Sequence, residues 1–273
     1  MPFFASSYRD SQIRGDQAGA LAVYFLDVGQ GDATLIRTPS GDDIIIDGGP
    51  NNVLIKKLGV YLPFYDKTIE TIILTHPDND HVAGLVEVLR RYKVEKILMT
   101  RVLSDSPSYQ SFLDEVEINN IEVEVIASEE TVDFGDGVFF NILYPIESFA
   151  GKTVESTNNT SITGQLVYAS TSVMLTGDLE VEESLVARGL NLKSDIYHVG
   201  HHGSNNANDL KFVSAVNPKY AVISVGADNH YGHPQYRTLK NLESVGAEIF
   251  RTDKSGDLIF YSNGLEFSQL QAP

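Results

Sequence analysis

The sequence contains no cysteine and no tryptophan. Without thiols it has no disulfide framework, no Cys-ligated zinc or iron–sulfur site and no thiol nucleophile, which fits a reducing cytoplasm. Cations are scarce: 20 Lys and Arg stand against 37 Asp and Glu, a formal net charge of −17 at pH 7. A surface so acidic repels duplex phosphates and disfavours passive DNA binding through a basic face. Phosphoester chemistry stays open, because bound cations invert the local field. No run approaches the ~18 apolar residues of a membrane-spanning helix. The first residues place their charges after their aromatics and have no apolar stretch, unlike a signal peptide. These readings predict a polar arm over 1–20, one domain over 21–268, a cytoplasmic setting and no membrane contact.

What is present is ordinary globular material. The 273 residues are 42% hydrophobic, near the upper edge of one core and too apolar for global disorder. Residues 21–28 (LAVYFLDV) read as a strand, followed by strands at 33–38 and 43–47. From Asn51 the period changes: Leu54, Leu58, Tyr61 and Leu62 share one helical face. Strands are expected at 71–75, 96–99, 121–126, 137–143, 161–169, 171–176, 195–199 and 220–225, with two more ending near 267. Helices are expected along Val82, Leu85, Val86 and Leu89, and at 107–117, 181–188, 207–215 and 235–245. Residues 145–160 form the only long irregular stretch, a length that is usually functional or mobile. Two halves that open with strands and then alternate with helices suit two stacked sheets covered on both outer faces, a four-layer αββα domain.

The chemistry concentrates at strand ends. Thr75-His76-Pro77-Asp78-Asn79-Asp80-His81 puts four potential metal ligands into six residues, between an apolar strand and a helix. Helix capping accounts for Asp78 or Asp80 singly, but not for two His flanking two Asp. Asp178 ends a buried strand, His201-His202-Gly203-Ser204 follows another, and His233 stands ahead of a helix. Of the 7 His in the chain, five fall in these three loops. Arg90, Arg91, Lys93, Lys96 and Arg101 make the one basic stretch, which reads better as a solvated helix face than as a nucleic-acid track.

Taken in order, HPDNDH, TGD and HHGS resemble the metallo-β-lactamase superfamily. FLDVGQGDATLI, IIIDGG, THPDNDHVAGL, NNTSI, LTGDLE, VGHHGSNN and AVISVGADNHYGHP are similar to one branch, the hydrolase domain of ComEC-type DNA-uptake proteins. The resemblance covers about 21–262, without the membrane channel region, and implies a free-standing relative. It implies His76 and Asp78 at a first metal, Asp80 and His81 at a second, and Asp178 bridging both. His201 is the implied late ligand, with His202 facing substrate; His202 is the other candidate for that ligand. Asp47 is the implied anchor behind the site, and Asp27, Gln30, Asp32 and Ser204 line or support the pocket. Two departures stand out: Asp78 replaces a histidine, and no histidine lies near 158–161, so Asn159 or water would complete a weaker first site.

Three carboxylates and three imidazoles without thiolate favour manganese ahead of zinc. Two such ions would activate water and clamp a phosphoryl oxygen, with Asp80 orienting the nucleophile and His202 or His233 serving the leaving oxygen. The expected function is a phosphodiesterase or nuclease acting on a short or single-stranded nucleic acid. The alternatives are a hydrolase of a small phosphoester, acyl ester or lactam, with 145–160 as a lid, and a metal-loaded sensing protein.

Overall fold

The computed structural model describes residues 19–271; all but the last two residues of the expected arm lie outside them. The first half of the chain runs β1 (Leu21–Phe25), β2 (Thr34–Arg37), β3 (Asp43–Ile46), α1 (Val53–Tyr61), β4 (Thr68–Leu74), α2 (Asn79–Arg91), β5 (Lys93–Met99), α3 (Pro107–Ile118) and β6 (Glu122–Val125). The second runs β7 (Glu130–Asp133), β8 (Val138–Tyr144), β9 (Thr163–Tyr168), β10 (Thr171–Leu175), α4 (Glu183–Ala187), β11 (Ile196–His198), α5 (Leu210–Val216), β12 (Tyr220–Ile223), α6 (Tyr236–Ser244), β13 (Glu248–Arg251), α7 (Thr252–Ser255), β14 (Leu258–Ser262) and β15 (Phe267–Gln271). They form two mixed sheets, in the orders β15-β14-β1-β2-β3-β4-β5-β6 and β13-β12-β11-β10-β9-β8-β7.

The alternation along β1 shows how the layers arise. Leu21, Val23 and Phe25 enter the core between the sheets, beside Ile73 of β4 and Leu166, Val173 and Ile196 of the other sheet. Ala22 and Tyr24 point the opposite way and pack with Leu54 and Leu58 of α1 and Val82 and Leu85 of α2. A third core joins Met174, Tyr197 and Ile223 to Phe212 and Val213 of α5 and Leu242 of α6. A strand buried on both faces reads as a continuous apolar run, because its two-residue period serves two cores at once. Three cores separate four layers, the expected αββα architecture.

Four departures from the sequence reading have local causes. β7 was not anticipated: its Glu-Thr-Val-Asp alternates half-buried with exposed residues on a sheet edge, so a single Val132 is all the apolar signal that marks it. α7 is a single turn, too short for periodicity. The helix expected at 207–215 starts at Leu210, because Asp209 caps it by accepting from the Lys211 N–H at 2.8 Å. α4 is likewise shorter than 181–188. No helix among the described residues is long and apolar enough to cross a membrane.

Two positions give stability tests. A Cβ on Gly84 would stand 1.9 Å from the Gly48 carbonyl oxygen, where α2 meets the loop after β3. Gly84→Ala is therefore expected to cost about 3 kcal/mol of overpacking, read as a lower urea midpoint at unchanged m-value. Glu182, ahead of α4, is 1% exposed and accepts from the Asn208 N–H at 2.7 Å. Burial pushes its carboxyl up from 4.5 to about 7. The folded state thus holds a proton that the unfolded chain releases, and stability falls as pH rises between those values. Glu182→Gln is expected to recover up to about 3 kcal/mol at pH 8 and to change little at pH 4, as seen in paired urea titrations.

Candidate metal centre

β3, β4 and β5 run parallel in the first sheet, as do β10, β11 and β12 in the second. Loops leaving such strand ends collect at one edge, where open α/β sheets place their sites. β4 delivers His76 to His81, β10 delivers Asp178, β11 delivers His201 and His202, and β1 and β3 deliver Asp32 and Asp47. The Ile162 N–H donates to the Thr75 carbonyl at 3.0 Å, tying the two sheets together at this edge.

Hydrogen bonds fix the tautomers of three imidazoles. His202 Nδ1 lies 3.0 Å from the Ser224 carbonyl oxygen, which only accepts, so Nδ1 carries the proton. His81 Nδ1 donates to Asp47 Oδ2 at 2.8 Å. Asp47 also accepts the Thr75 hydroxyl at 2.7 Å and the Thr75 N–H at 2.9 Å. With its own proton so committed, Thr75 Oγ1 accepts from His76 Nδ1 at 3.0 Å. Each ring therefore turns Nε2 inward, the arrangement by which outer partners orient metal-binding histidines.

The inward atoms converge. His81 Nε2 is 3.4 Å from Asp178 Oδ1, and His202 Nε2 is 3.3 Å from Asp80 Oδ2 and 3.7 Å from Asp178 Oδ2. His76 Nε2 is 3.9 Å from Asp78 Oδ2. Donor atoms of His76, His81 and Asp178 lie within 4.8 Å of one another, as do those of Asp80, His81 and His202. His76 Nε2, His81 Nε2, His202 Nε2 and Asp178 Oδ1 are buried without a hydrogen-bond partner. Buried polar atoms are seldom left so; four at one point fit a cation.

The electrostatics agree. Burial opposes charge on His81 and His202, but Asp178, with Asp47 at His81 and Asp32 at His202, outweighs it and holds both well above the usual imidazole range. Burial likewise opposes charge on Asp178, yet His81 and His202 hold it well below the usual carboxylate range. Burial and His81 push His76 down. Burial, then His202 and His201, lower His233 to about 4.

The histidine pair is exchanged relative to the sequence expectation. His202 is 2% exposed and points into the cluster, whereas the His201 side chain is 20% exposed. His201 sets Nδ1 3.2 Å from Glu180 Oε1, and its Nε2 is 3.8 Å from Asp178. Both carry left-handed backbones, with φ of 49° and 53°, a strained turn of the kind found at functional sites.

The supporting residues divide. Asp32 sits behind His202, with Oδ1 3.2 Å from Nδ1, and its N–H donates to the Asp80 carbonyl at 3.2 Å. Gly31 permits that approach, since a Cβ there would stand 2.3 Å from the same carbonyl. Gln30 accepts from the Gly226 N–H at 3.2 Å, joining this loop to the one after β12. His233 sets its ring 6.5 Å from that of His202, tilted, and 5.7 Å from that of His201, edge-on, with Nδ1 buried and unpartnered. Asp27 is not brought to the donors: it accepts from the Gly29 N–H, and its own N–H donates to Asp257. Ser204 is turned to the Asn206 N–H.

Asn159 is engaged by a neighbouring backbone group. Its Oδ1 accepts from the Glu180 N–H at 3.1 Å. Ser161 lies behind His76, on the side away from Nε2, with its hydroxyl 3.3 Å from His76 Nδ1 and accepting from the Asp178 N–H at 3.2 Å. The sequence reading also missed Thr157, whose hydroxyl donates to Asp78 Oδ1 at 2.5 Å, and Ser224. A Ser or Thr beside a ligand loop carries no spacing signal of its own. Four members of the basic stretch are neutralised locally: Arg90 and Arg91 pair with Glu87, Lys93 with Glu95 and Lys96 with Glu124.

Residues 26–227 match the family model described as Metallo-beta-lactamase superfamily. The chain is similar to ComE operon protein 3 of Bacillus subtilis (strain 168), 28% identical across 88% of this chain and 33% of that protein. It is also similar to competence protein ComA of Neisseria gonorrhoeae, 31% identical across 93% of this chain and 34% of that one. It thus spans about a third of the length of these relatives. Among solved structures, Zn(2+)-bound PqqB from Methylobacterium extorquens shares the fold, with a TM-score of 0.54 at 13% identity, covering 81% of this chain and 85% of that one.

Proposed function

Because this chain belongs to the metallo-β-lactamase superfamily, we propose that it is a metal-dependent phosphodiesterase. The observation that carries this reading is the convergence of His76 Nε2, His81 Nε2, His202 Nε2 and Asp178 Oδ1, all buried and without a hydrogen-bond partner. In this reading His76, Asp78 and Asp178 hold one divalent ion, and Asp80, His81, His202 and Asp178 hold a second. Three carboxylates and three imidazoles favour manganese ahead of zinc. When bound, such a pair supplies Lewis acidity and activates water at neutral pH.

The chain's own residues do the rest. Asp80, with a side chain one-third exposed, stands at the open side and orients the attacking water. Hydrolysis forms one P–O bond to that water and breaks the bond to the leaving oxygen, which takes up the water's proton. His233, held neutral by burial, offers its ring N–H to the leaving oxygen. His202 is assigned as a ligand here, not as a substrate-facing group. The motif resemblance to DNA-uptake proteins, together with the competence relative matched over 93% of the chain, supports a nucleic-acid phosphodiester as substrate.

The test is hydrolysis of bis-p-nitrophenyl phosphate with Mn²⁺, then of single- and double-stranded oligonucleotides and of nitrocefin. Diester cleavage abolished by chelation, and reduced about 100-fold or more by Asp80→Asn, is expected. No diester cleavage with any divalent metal, or an unaffected Asp80→Asn variant, would sink the reading.

A further inference from the structure

Beside the metal centre runs a groove of about 1040 Å³, walled by Arg101 to Asp105 on one side and by Ala150, Gly151, Thr153, Val154 and Thr157 on the other. Backbone bonds stitch the walls together: the Gly151 N–H donates to the Arg101 carbonyl at 3.0 Å, and the Leu103 N–H to the Lys152 carbonyl at 2.9 Å. The groove opens onto the centre at Thr157, whose hydroxyl holds Asp78. Its volume is at the top of the roughly 300–1,000 Å³ that encloses a whole drug-sized ligand, more than one phosphate and its ester groups require.

Arg101 separates this groove from the rest of an acidic surface. Its four companions in the basic stretch are ion-paired, while Arg101 is exposed and has no ion pair among the described residues. Its backbone is left-handed, with φ of 53°, a conformation uncommon outside glycine and sustained only where the surroundings impose it. Burial pushes the Tyr109 phenol at the groove floor up to about 12, and the nearby Arg101 guanidinium only partly opposes that rise. Leu103, 55% exposed, and half-buried Val154 add apolar surface along the walls. An unpaired fork of donors suits a phosphate, and adjoining apolar faces suit bases.

We infer that this groove is the subsite for the strand that flanks the scissile bond: a single-stranded oligonucleotide, with a non-scissile phosphate on Arg101. This rests on the phosphodiesterase reading and adds substrate length and register to it. The acidic surface around the groove disfavours a duplex lying across it.

The test measures binding and turnover separately. Binding is read by fluorescence anisotropy with a labelled, phosphorothioate-linked hexathymidylate, in Mn²⁺, over a range of salt. Arg101→Gln is expected to weaken binding about tenfold and to reduce the slope of log affinity against log salt by about 0.7. Arg101→Lys should retain most of both. In turnover, the kcat/KM ratio of hexathymidylate to bis-p-nitrophenyl phosphate should fall about tenfold in Arg101→Gln. An unchanged affinity and ratio would overturn the groove while leaving the phosphodiesterase reading intact. Equal affinity for thymidine monophosphate and the hexamer would also overturn it, reducing the groove to a mononucleotide pocket. If wild-type protein binds the hexamer through Arg101 but cleaves no diester, the groove stands and the catalytic reading fails.

Discussion

Asp178→Asn is expected to lower kcat/KM for a phosphodiester by about 10⁴-fold while leaving the fold intact, since removing even a ligand's supporting partner costs 10–100-fold. Asp178 reaches both halves of the centre: one oxygen is 3.4 Å from His81 Nε2, the other 3.7 Å from His202 Nε2. It also shares a donor triad with His76 and His81. The amide keeps the shape but replaces one ligand oxygen and removes the charge that both proposed metal sites share, so both would be weakened at once. The measurement pairs activity with thermal melting. Wild type should gain stability on adding Mn²⁺, about 2.7 kcal/mol at 100 times the dissociation constant. The variant should gain almost none. A variant that keeps half its activity and its Mn²⁺ stabilisation would remove Asp178 from the centre.

The second large effect separates neighbours in the chain. His202→Ala is expected to lower kcat/KM by about 10³-fold, and His201→Ala by about tenfold. His202 is buried, has its tautomer fixed by the Ser224 carbonyl, and aims Nε2 at Asp80 and Asp178. His201 turns to Glu180 at the rim, so its loss disturbs the surroundings of the centre without emptying it. Metal content by mass spectrometry after dialysis should follow the same order. Equal losses in the two variants, or a larger one for His201→Ala, would reverse the assignment.

The contrast within this pair shows which parts of the site were legible in sequence. The donor types stand in three motifs at strand ends, and apolar runs announce those strands. Hydrophobic patterning thus located the edge, and residue chemistry supplied the charge and nitrogen gathered there. Choosing between His201 and His202 required the two left-handed residues of that turn, and backbone handedness leaves no trace in the order His-His. Asn159 and Ser161 pose the same difficulty two residues apart: the motif marked the place, but a turn decides that Asn159 holds the Glu180 N–H while Ser161 backs His76. In the fold, β1 declared itself because both its faces are buried. β7 did not, because this edge strand is only half-buried on one face and a single Val132 is all the apolar signal it carries. α5 began three residues later than its apolar residues suggested, because Asn208 is buried and bonded to Tyr197, Gly200 and Ser204, which holds the preceding turn out of the helix.

Anomalous diffraction at the manganese edge, from crystals grown with Mn²⁺, tests the central claim most directly. Two peaks are expected, one against His76, Asp78 and Asp178 and the other against Asp80, His81, His202 and Asp178. No peak at this strand edge, or a peak bound by His201 with His202 unengaged, would contradict it.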